Sequence, residues 1–294
     1  MLELIPYSDF LNVNEIFSAS NLFIIGVAIF WLIIASIQDF KRREVENWWS
    51  FSLVVFILAF RAFLSIEKGN YWYFAWGLIG FIAAILISNL FYYSRMYGGG
   101  DAKLLMALGT ILPLSLSWQA NLGILIIFLI LFLFVGAIYG MVYSLVITLQ
   151  NLGEFSEEFP KIFKKNKRMI LFTVLAGVSL FIFSFFIKFY LLLWLSILLT
   201  LSPFLLVYAK AIENSCMINS TKVSNLTIGD LLARPLRIGK ITIKPNWEGL
   251  SERELKFIKR KLKPSDKVKV KQGIPFVPVF LIAFIIMLWL INNS

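Results

Sequence analysis

Apolar residues along this chain occur in long runs that are separated by short polar or charged segments. Runs of this length fit helices that cross about 30 Å of hydrocarbon, because a helix rises about 1.5 Å per residue. They lie near residues 21–38, 48–66, 71–93, 102–117, 121–149, 170–187, 189–209 and 275–292. The pattern predicts an all-α polytopic membrane protein with about eight transmembrane helices.

Two of these runs are unusual in length. The run 102–117 is short and contains Pro113. A single helix over 170–209 would measure about 60 Å, so this stretch is predicted to form two spans that turn at Lys188. The composition agrees with a membrane protein, since 59% of the 294 residues are hydrophobic and the mean hydropathy is +0.81.

One polar and basic segment, 210–272, interrupts the membrane pattern. Within it, residues 237–244 alternate like a strand, and Ser251 and Glu254 form a capping box that opens a helix to about Lys263. A small α+β cytoplasmic domain is therefore predicted before the last helix. The predicted organisation is an extracytoplasmic segment 1–20, a membrane core 21–117, further helices 118–209 with a basic loop 150–169, the basic domain 210–272 and a last helix within 273–294.

The positive charges indicate the orientation of the chain in the membrane. The net charge is +11, and with the N-terminus outside, all of the 28 Lys and Arg residues except Arg61, Lys68 and Lys188 lie on one side. Basic loops mark the cytoplasmic side. This predicts a multi-pass protein of the plasma membrane with both termini extracytoplasmic, and it explains the basicity without nucleic acid. Arg61, in the outer half of its span, is expected to snorkel towards the headgroups.

Catalytic chemistry is limited by the absence of histidine and by the single cysteine, Cys216. Neither nucleophile pairs that need histidine nor the usual zinc motifs can be built. No metal and no cofactor is expected. Carboxylates remain as the candidate reactive groups.

Two aspartates are predicted to meet at one membrane face. Asp39 closes the first apolar run and Asp101 opens the fourth. Two predicted crossings, 48–66 and 71–93, separate them, so both lie at the same cytoplasmic boundary. Neighbouring carboxylates share a proton, which lets one act as a general base towards water and the other as a general acid towards a carbonyl. This is aspartic protease chemistry, with neither role assigned to one residue.

A structural interpretation of the same residues stays open. Asp101 can simply cap its own helix after a plain turn of glycines, and an acid such as Asp39 beside basic residues is common at a helix end. For catalysis, Gly98 and Gly100 would permit positive φ and close approach of a substrate backbone. Lys103 is expected to anchor the helix at the boundary rather than to pair with Asp101, two positions away.

At these positions the sequence resembles a known family. Residues 98–109, which read GGGDAKLLMALG, resemble the second aspartate motif of the GxGD-type aspartyl membrane proteases, and specifically of the type IV prepilin and preflagellin peptidases of archaea. Residues 39–47, from Asp39 through a basic patch to Asn47, resemble the first motif. Residues 269–278 resemble the entry to the last helix of archaeal members.

The resemblance implies that the protein is an endopeptidase. It would remove the short basic leader, a class III signal peptide, from type IV pilin-like or archaellin precursors at the cytoplasmic membrane face. Asp39 and Asp101 would be catalytic, with Gly98, Gly100, Lys103 and Asn47 in support. It further implies a six-helix core to which 170–209 adds a hairpin. Bacterial relatives that also N-methylate pilins often carry two C-x-x-C pairs, which this chain lacks, so no methyltransferase activity is expected.

Other expectations concern partners. Glu44 and Glu46 would attract a basic leader, and the G-x-x-x-G of Gly136 and Gly140 would either pack inside the bundle or pair subunits in a homo-oligomer. Precursor proteins and membrane lipid are the expected partners.

Three alternative functions remain open at this point. A presenilin-like or signal-peptide-peptidase-like protease shares the G-x-G-D motif, but Gln38 rather than Tyr precedes Asp39 and no Pro-Ala-Leu lies near the end. An ion-coupled transporter would place its acids nearer the bilayer midplane. A noncatalytic assembly subunit would use 210–272 as its interface and could dispense with both aspartates.

Overall fold

The computed structural model describes residues 12–94, 96–239 and 241–293. Its first helices are α1 (Val13–Ile16), α2 (Ala19–Arg42), α3 (Asn47–Glu67), α4 (Trp72–Tyr93), α5 (Gly99–Gly109), α6 (Trp118–Gln150), α7 (Leu152–Lys165), α8 (Lys167–Ile187) and α9 (Tyr190–Asn214). They are followed by β1 (Ile218–Lys222), β2 (Leu231–Leu232), β3 (Leu236–Ile238), β4 (Ile241–Ile243), α10 (Glu252–Lys261), β5 (Lys267–Lys271) and α11 (Val277–Asn292). The described residues form two compact units, one within 1–141 and 274–294 and the other within 142–273.

Six helices of the described chain are long and apolar enough to cross a membrane, namely α2, α3, α4, α6, α8 and α9. The apolar helix α11 is shorter, at 16 residues. These helices, with a small strand region near the C-terminus, confirm the predicted class of an all-α polytopic membrane protein.

The first unit is built around α5. This helix buries six of its 11 residues, including Leu104, Leu105 and Leu108. Fully buried residues of α2 and α11, among them Leu32 and Phe284, belong to the same core. A helix that is apolar on most of its sides is buried among others, and α5 is accordingly the central helix of this unit.

The prediction of a single helix over residues 102–117 is wrong, because α5 ends at Gly109. Eleven residues of helix measure about 16 Å, roughly half of a bilayer's hydrocarbon. The chain still runs from one end of the unit to the other. Lys103, near the start of α5, contacts Asn47 at the start of α3, whereas the carbonyl of Leu114 accepts a hydrogen bond from Asn21 at the opposite end, near the start of α2. After a last turn that ends with the Leu112 N–H donating to the Leu108 carbonyl at 3.0 Å, the chain therefore completes the crossing as a non-helical segment.

Arg61 on α3 supplies the donors that this broken segment needs. Its side chain does not snorkel as expected; the residue is only 2% exposed. The guanidinium donates to the carbonyls of Thr110 at 2.8 Å, Ile111 at 3.2 Å and Pro113 at 2.5 Å, and to that of Tyr73 at 3.2 Å. Unpaired carbonyls in a membrane interior are costly, so a buried cation is the physical reason that α5 can end early.

Glycines allow α4 and α5 to pack with their backbones in contact. A Cβ added to Gly109 would lie 2.5 Å from the Gly80 carbonyl oxygen and would also overlap the Cβ of Ala84. Small residues at such positions are typical of close helix packing in membranes. Gly136 on α6 also packs within its own unit, since a Cβ there would lie 2.8 Å from the ring of Phe276.

The second unit contains the α8–α9 hairpin and a small domain. A Cβ on Gly177 of α8 would overlap the hydroxyl of Thr200 on α9, so these helices pack closely. Residues 152–165, predicted to be a loop, form the helix α7, whose apolar residues Phe155, Phe159 and Ile162 pack in one cluster with Val207 of α9.

The small domain has two sheets and one helix. Strands β1, β5 and β2 form an antiparallel sheet in that order, and β3 pairs with β4. The predicted single strand over 237–244 is therefore wrong; the chain turns at Gly239, with φ +61°, into a hairpin. The capping box of Ser251 and Glu254 is confirmed, and Leu255 and Ile258 of α10 complete the domain's core.

Candidate active site

Asp39 lies in the last turn of α2 and is buried, with 6% of its surface exposed. Its Oδ2 accepts a hydrogen bond of 2.9 Å from the backbone N–H of Val277, at the start of α11. The helix is capped by Arg43, which has a left-handed φ of 58° and whose N–H donates to the Asp39 carbonyl at 2.8 Å. This turn and the buried Val45 direct the chain into α3, so Asp39 faces the interior at the end of its helix.

Asp101 lies in the first turn of α5 and is half-buried. Its Oδ2 accepts the N–H of Gly98 at 3.2 Å, which is one half of a capping box. The structural interpretation of Asp101 as a cap therefore describes one of its contacts. A cap uses one lone pair of one oxygen, and the other carboxylate oxygen remains available for further hydrogen bonds.

The two carboxylates lie near enough to interact. Burial, and then the charge of Asp39, raise the pKa of Asp101 to about 7, and the Gly98 hydrogen bond offsets only part of this rise. Asp101 lies outside the six helices of the described chain that are long enough to cross a membrane. Because the pair titrates as a unit, one proton is retained near neutral pH, which is the state that acid and base catalysis requires.

The supporting residues predicted from the sequence fall into two groups. Lys103 and Asn47 meet, with the Lys103 ammonium donating to the Asn47 side-chain oxygen at 2.5 Å. This contact joins α5 to the start of α3. Gly98 and Gly100 do not adopt the expected positive φ, since positive-φ glycines among the described residues are Gly69, Gly229, Gly239 and Gly249.

The space around the glycines of the motif is nevertheless open. A Cβ built on Gly98 or Gly100 would have its nearest neighbour at 3.8 Å, Asp101 Oδ2 in one case and the Val45 nitrogen in the other. Such contacts are ordinary van der Waals contacts. The glycines therefore leave free volume beside the carboxylates rather than providing a left-handed turn.

The two glutamates predicted to attract a leader have different environments. Glu46 accepts a hydrogen bond of 2.6 Å from Arg42 and another from the indole N–H of Trp48. Glu44 is exposed. Of the two, Glu44 is the one whose carboxylate lacks a cation within the distance of an ion pair among the described residues.

Two groups at this site were not predicted from the sequence. One is the Val277 N–H described above. The other is Tyr97, whose ring packs edge-on against Phe91 and Phe132. Burial, together with the charge of Asp101, raises the pKa of Tyr97 to about 12, so the hydroxyl keeps its proton and can donate it in a hydrogen bond. In the sequence, the feature that could have indicated Tyr97 is its position directly before Gly98. Among residues 12–94, 96–239 and 241–293, no cluster of three or more metal-ligating side chains occurs.

Comparison with known proteins identifies the segment that carries this site. Residues 26–145 match the sequence model of the type IV leader peptidase family, and this range includes Asp39 and Asp101. Three similar proteins are preflagellin peptidases of methanogenic archaea. The one from Methanocaldococcus jannaschii is 37% identical over 91 residues, which is 31% of this chain and 38% of that protein.

The other two relatives give the same picture. The Methanococcus voltae protein is 35% identical over 88 residues, 30% of this chain and 37% of that protein. The Methanococcus maripaludis protein is 37% identical over 82 residues, 28% of this chain and 35% of that protein. The chain thus spans less than two-fifths of the length of these relatives. The matches confirm the resemblance to type IV prepilin and preflagellin peptidases.

Proposed function

We propose that this protein is a membrane aspartyl endopeptidase that removes the basic leader from preflagellin or type IV prepilin precursors. The observation that carries the proposal is the meeting of Asp39 and Asp101 at one end of the first unit, where the charge of one raises the pKa of the other. Both residues fall within the segment that matches the type IV leader peptidase family, and similar proteins are named preflagellin peptidases.

The chemistry follows from a pair that shares one proton. The ionised carboxylate takes a proton from water while the oxygen of that water attacks the carbonyl carbon of the scissile peptide. The protonated carboxyl gives its proton to the carbonyl oxygen, which forms a tetrahedral gem-diol. The carboxyl that took the water proton then gives it to the amide nitrogen, while the other carboxylate takes a proton from a hydroxyl of the gem-diol. The C–N bond breaks, the products are a carboxylic acid and an amine, and the pair again holds one proton.

The site also suits a substrate with a charged leader and an apolar helix. An exposed Glu44 and the ion-paired Glu46 lie in the turn that follows Asp39. Opposite charges speed the encounter of a basic leader with this end of the bundle. The positions of Lys and Arg favour a cytoplasmic location for this end, in the plasma membrane, with both termini outside.

The proposal is tested by co-expressing the protein with a preflagellin or a type IV prepilin and measuring the loss of the leader by gel mobility. We expect Asp39→Asn and Asp101→Asn each to reduce cleavage by about a thousandfold or more, because neither carboxylate can perform the partner's step. Asp230→Asn, in the small domain, is the matched control and is expected to cleave normally. Cleavage that survives the loss of either Asp39 or Asp101 would exclude the dyad mechanism.

A further inference from the structure

The N-terminus of the last helix reaches into the site from the far end of the sequence. The Val277 N–H donates to Asp39 Oδ2 at 2.9 Å, across a separation of 238 residues. Both partners are buried, with exposures of 1% for Val277 and 6% for Asp39. A buried N–H and a buried carboxylate each need a partner, and here each satisfies the other.

This donor is available because Val277 is the first residue of α11. The first N–H groups of a helix have no acceptor within the helix, and they lie at the positive end of its dipole. A carboxylate that accepts such a group is stabilised in its charged form. The contact therefore stabilises the charged form of Asp39 relative to the neutral form, which a packing contact alone would not do.

The donor is also held in place. The ring of Phe276 lies 5.6 Å from Phe132 at a right angle, and it fills the space that Gly136 leaves on α6. Pro278 restricts the backbone of the first turn. Because the start of α11 is fixed by this packing, the Val277 N–H is oriented towards Asp39 before any substrate binds.

Asp101 has a weaker set of contacts. Its one hydrogen bond in the described chain, from Gly98, is longer, at 3.2 Å. The charged and titratable groups around the pair are also distributed unevenly between the two carboxylates. The charge of Arg43 and the backbone N–H of Phe276 act on Asp39 besides Val277. Tyr97 lies beside Asp101, Lys103 is hydrogen-bonded to Asn47 instead, and α11 carries no ionisable side chain.

We propose that the resting pair carries its negative charge on Asp39 and its proton on Asp101, and that the Val277 N–H maintains this arrangement. The inference rests on the proposed function and assigns the roles within it. Asp39 is the general base that activates water, and Asp101 is the general acid that protonates the carbonyl oxygen. Val277 is a positioning residue, which acts on the reaction through Asp39.

The test removes the N–H and leaves every side chain unchanged. Cell-free synthesis into lipid vesicles, with a suppressor tRNA that carries the α-hydroxy acid analogue of valine at position 277, replaces the amide between Phe276 and Val277 by an ester. The same tRNA charged with valine provides the matched control.

The readout is the pH profile of kcat/KM for leader cleavage. Loss of the donor makes the charged form of Asp39 less favourable, so we expect the acidic limb to move up by about one to two pH units. Below that limb, cleavage is expected to fall by about ten- to a hundredfold, the factor that corresponds to this shift. The alkaline limb, which reports loss of the proton on Asp101, should stay in place. A purely structural contact would lower the rate at every pH without moving the limb.

The outcomes separate this inference from the proposed function. Val277→Ala shortens the side chain but keeps the N–H, and its acidic limb is expected to match that of the valine control. If the valine control cleaves the precursor but the ester keeps its acidic limb, or if Val277→Ala moves the limb equally, the assignment is wrong. If the valine control itself fails to cleave precursors, the proposed function fails instead.

Discussion

At the scale of single residues, the proton on Asp101 makes activity depend on pH. The pKa of this carboxyl is raised from 3.8 to about 7. Above about pH 7 the proton is lost, and the pair can no longer protonate the carbonyl oxygen. We therefore expect kcat/KM for precursor cleavage to fall above about pH 7, by about tenfold per pH unit. A profile that stays flat to about pH 9 would contradict a protonated Asp101.

The proton on Asp101 can also be detected without a substrate, through the pH dependence of the protein's stability. Between about pH 4 and pH 7 the folded protein holds a proton that the unfolded chain has already released, so its stability falls as the pH rises through this window. Asp101→Asn cannot titrate. The difference in thermal midpoint between Asp101→Asn and the wild type, measured in detergent by circular dichroism, should therefore grow from about pH 4 to pH 7 and then level off.

At the scale of elements, α5 and its non-helical continuation differ most from what the sequence predicts. The apolar run 102–117 indicates a span but contains no signal for where the helix ends, apart from Pro113. The helix ends at Gly109, before that proline, because Arg61 satisfies the carbonyls that follow it. Whether an arginine within a span points outwards or inwards depends on its neighbours in three dimensions, and these are not visible in the periodicity of α3.

Replacing Arg61 tests this account of the broken crossing. Arg61→Met leaves the carbonyls of Thr110, Ile111 and Pro113 without their donors, and a buried polar group without a partner costs about 1–3 kcal/mol. We expect a loss of about 2–4 kcal/mol in the free energy of unfolding. Arg61→Lys should recover only part of it, because a single ammonium cannot reach the same set of carbonyls.

The measurement is the denaturant or thermal midpoint in detergent, with Arg42→Met as the matched control. The Arg42 side chain is 70% exposed and pairs with Glu46 at the surface, where such pairs contribute about 0–1 kcal/mol. Equal midpoints for the two methionine variants would mean that the carbonyls after α5 are satisfied by other groups.

At the scale of the whole molecule, the sequence is most informative where one physical rule applies along a continuous stretch. Apolar runs predict helices because the hydrocarbon sets their length, and two crossings return Asp101 to the end where Asp39 lies. The contact of Asp39 with Val277 could not be predicted in this way. It joins residues 238 positions apart through a backbone N–H, which every residue except proline possesses, so no side-chain pattern indicates it.

The orientation of the whole chain yields the last prediction. With Cys216 replaced by serine, the protein has no thiol, and single cysteines can then report on each side of the membrane. Lys68→Cys and Lys188→Cys replace exposed residues after α3 and α8, whereas Lys164→Cys replaces an exposed residue of α7. Because basic segments are retained on the cytoplasmic side, we expect a membrane-impermeant maleimide to label the first two variants in intact cells. The Lys164→Cys variant should react only after the membrane is opened. The reverse pattern would place the carboxylates on the outer face, where they could not act on a leader before the precursor is exported.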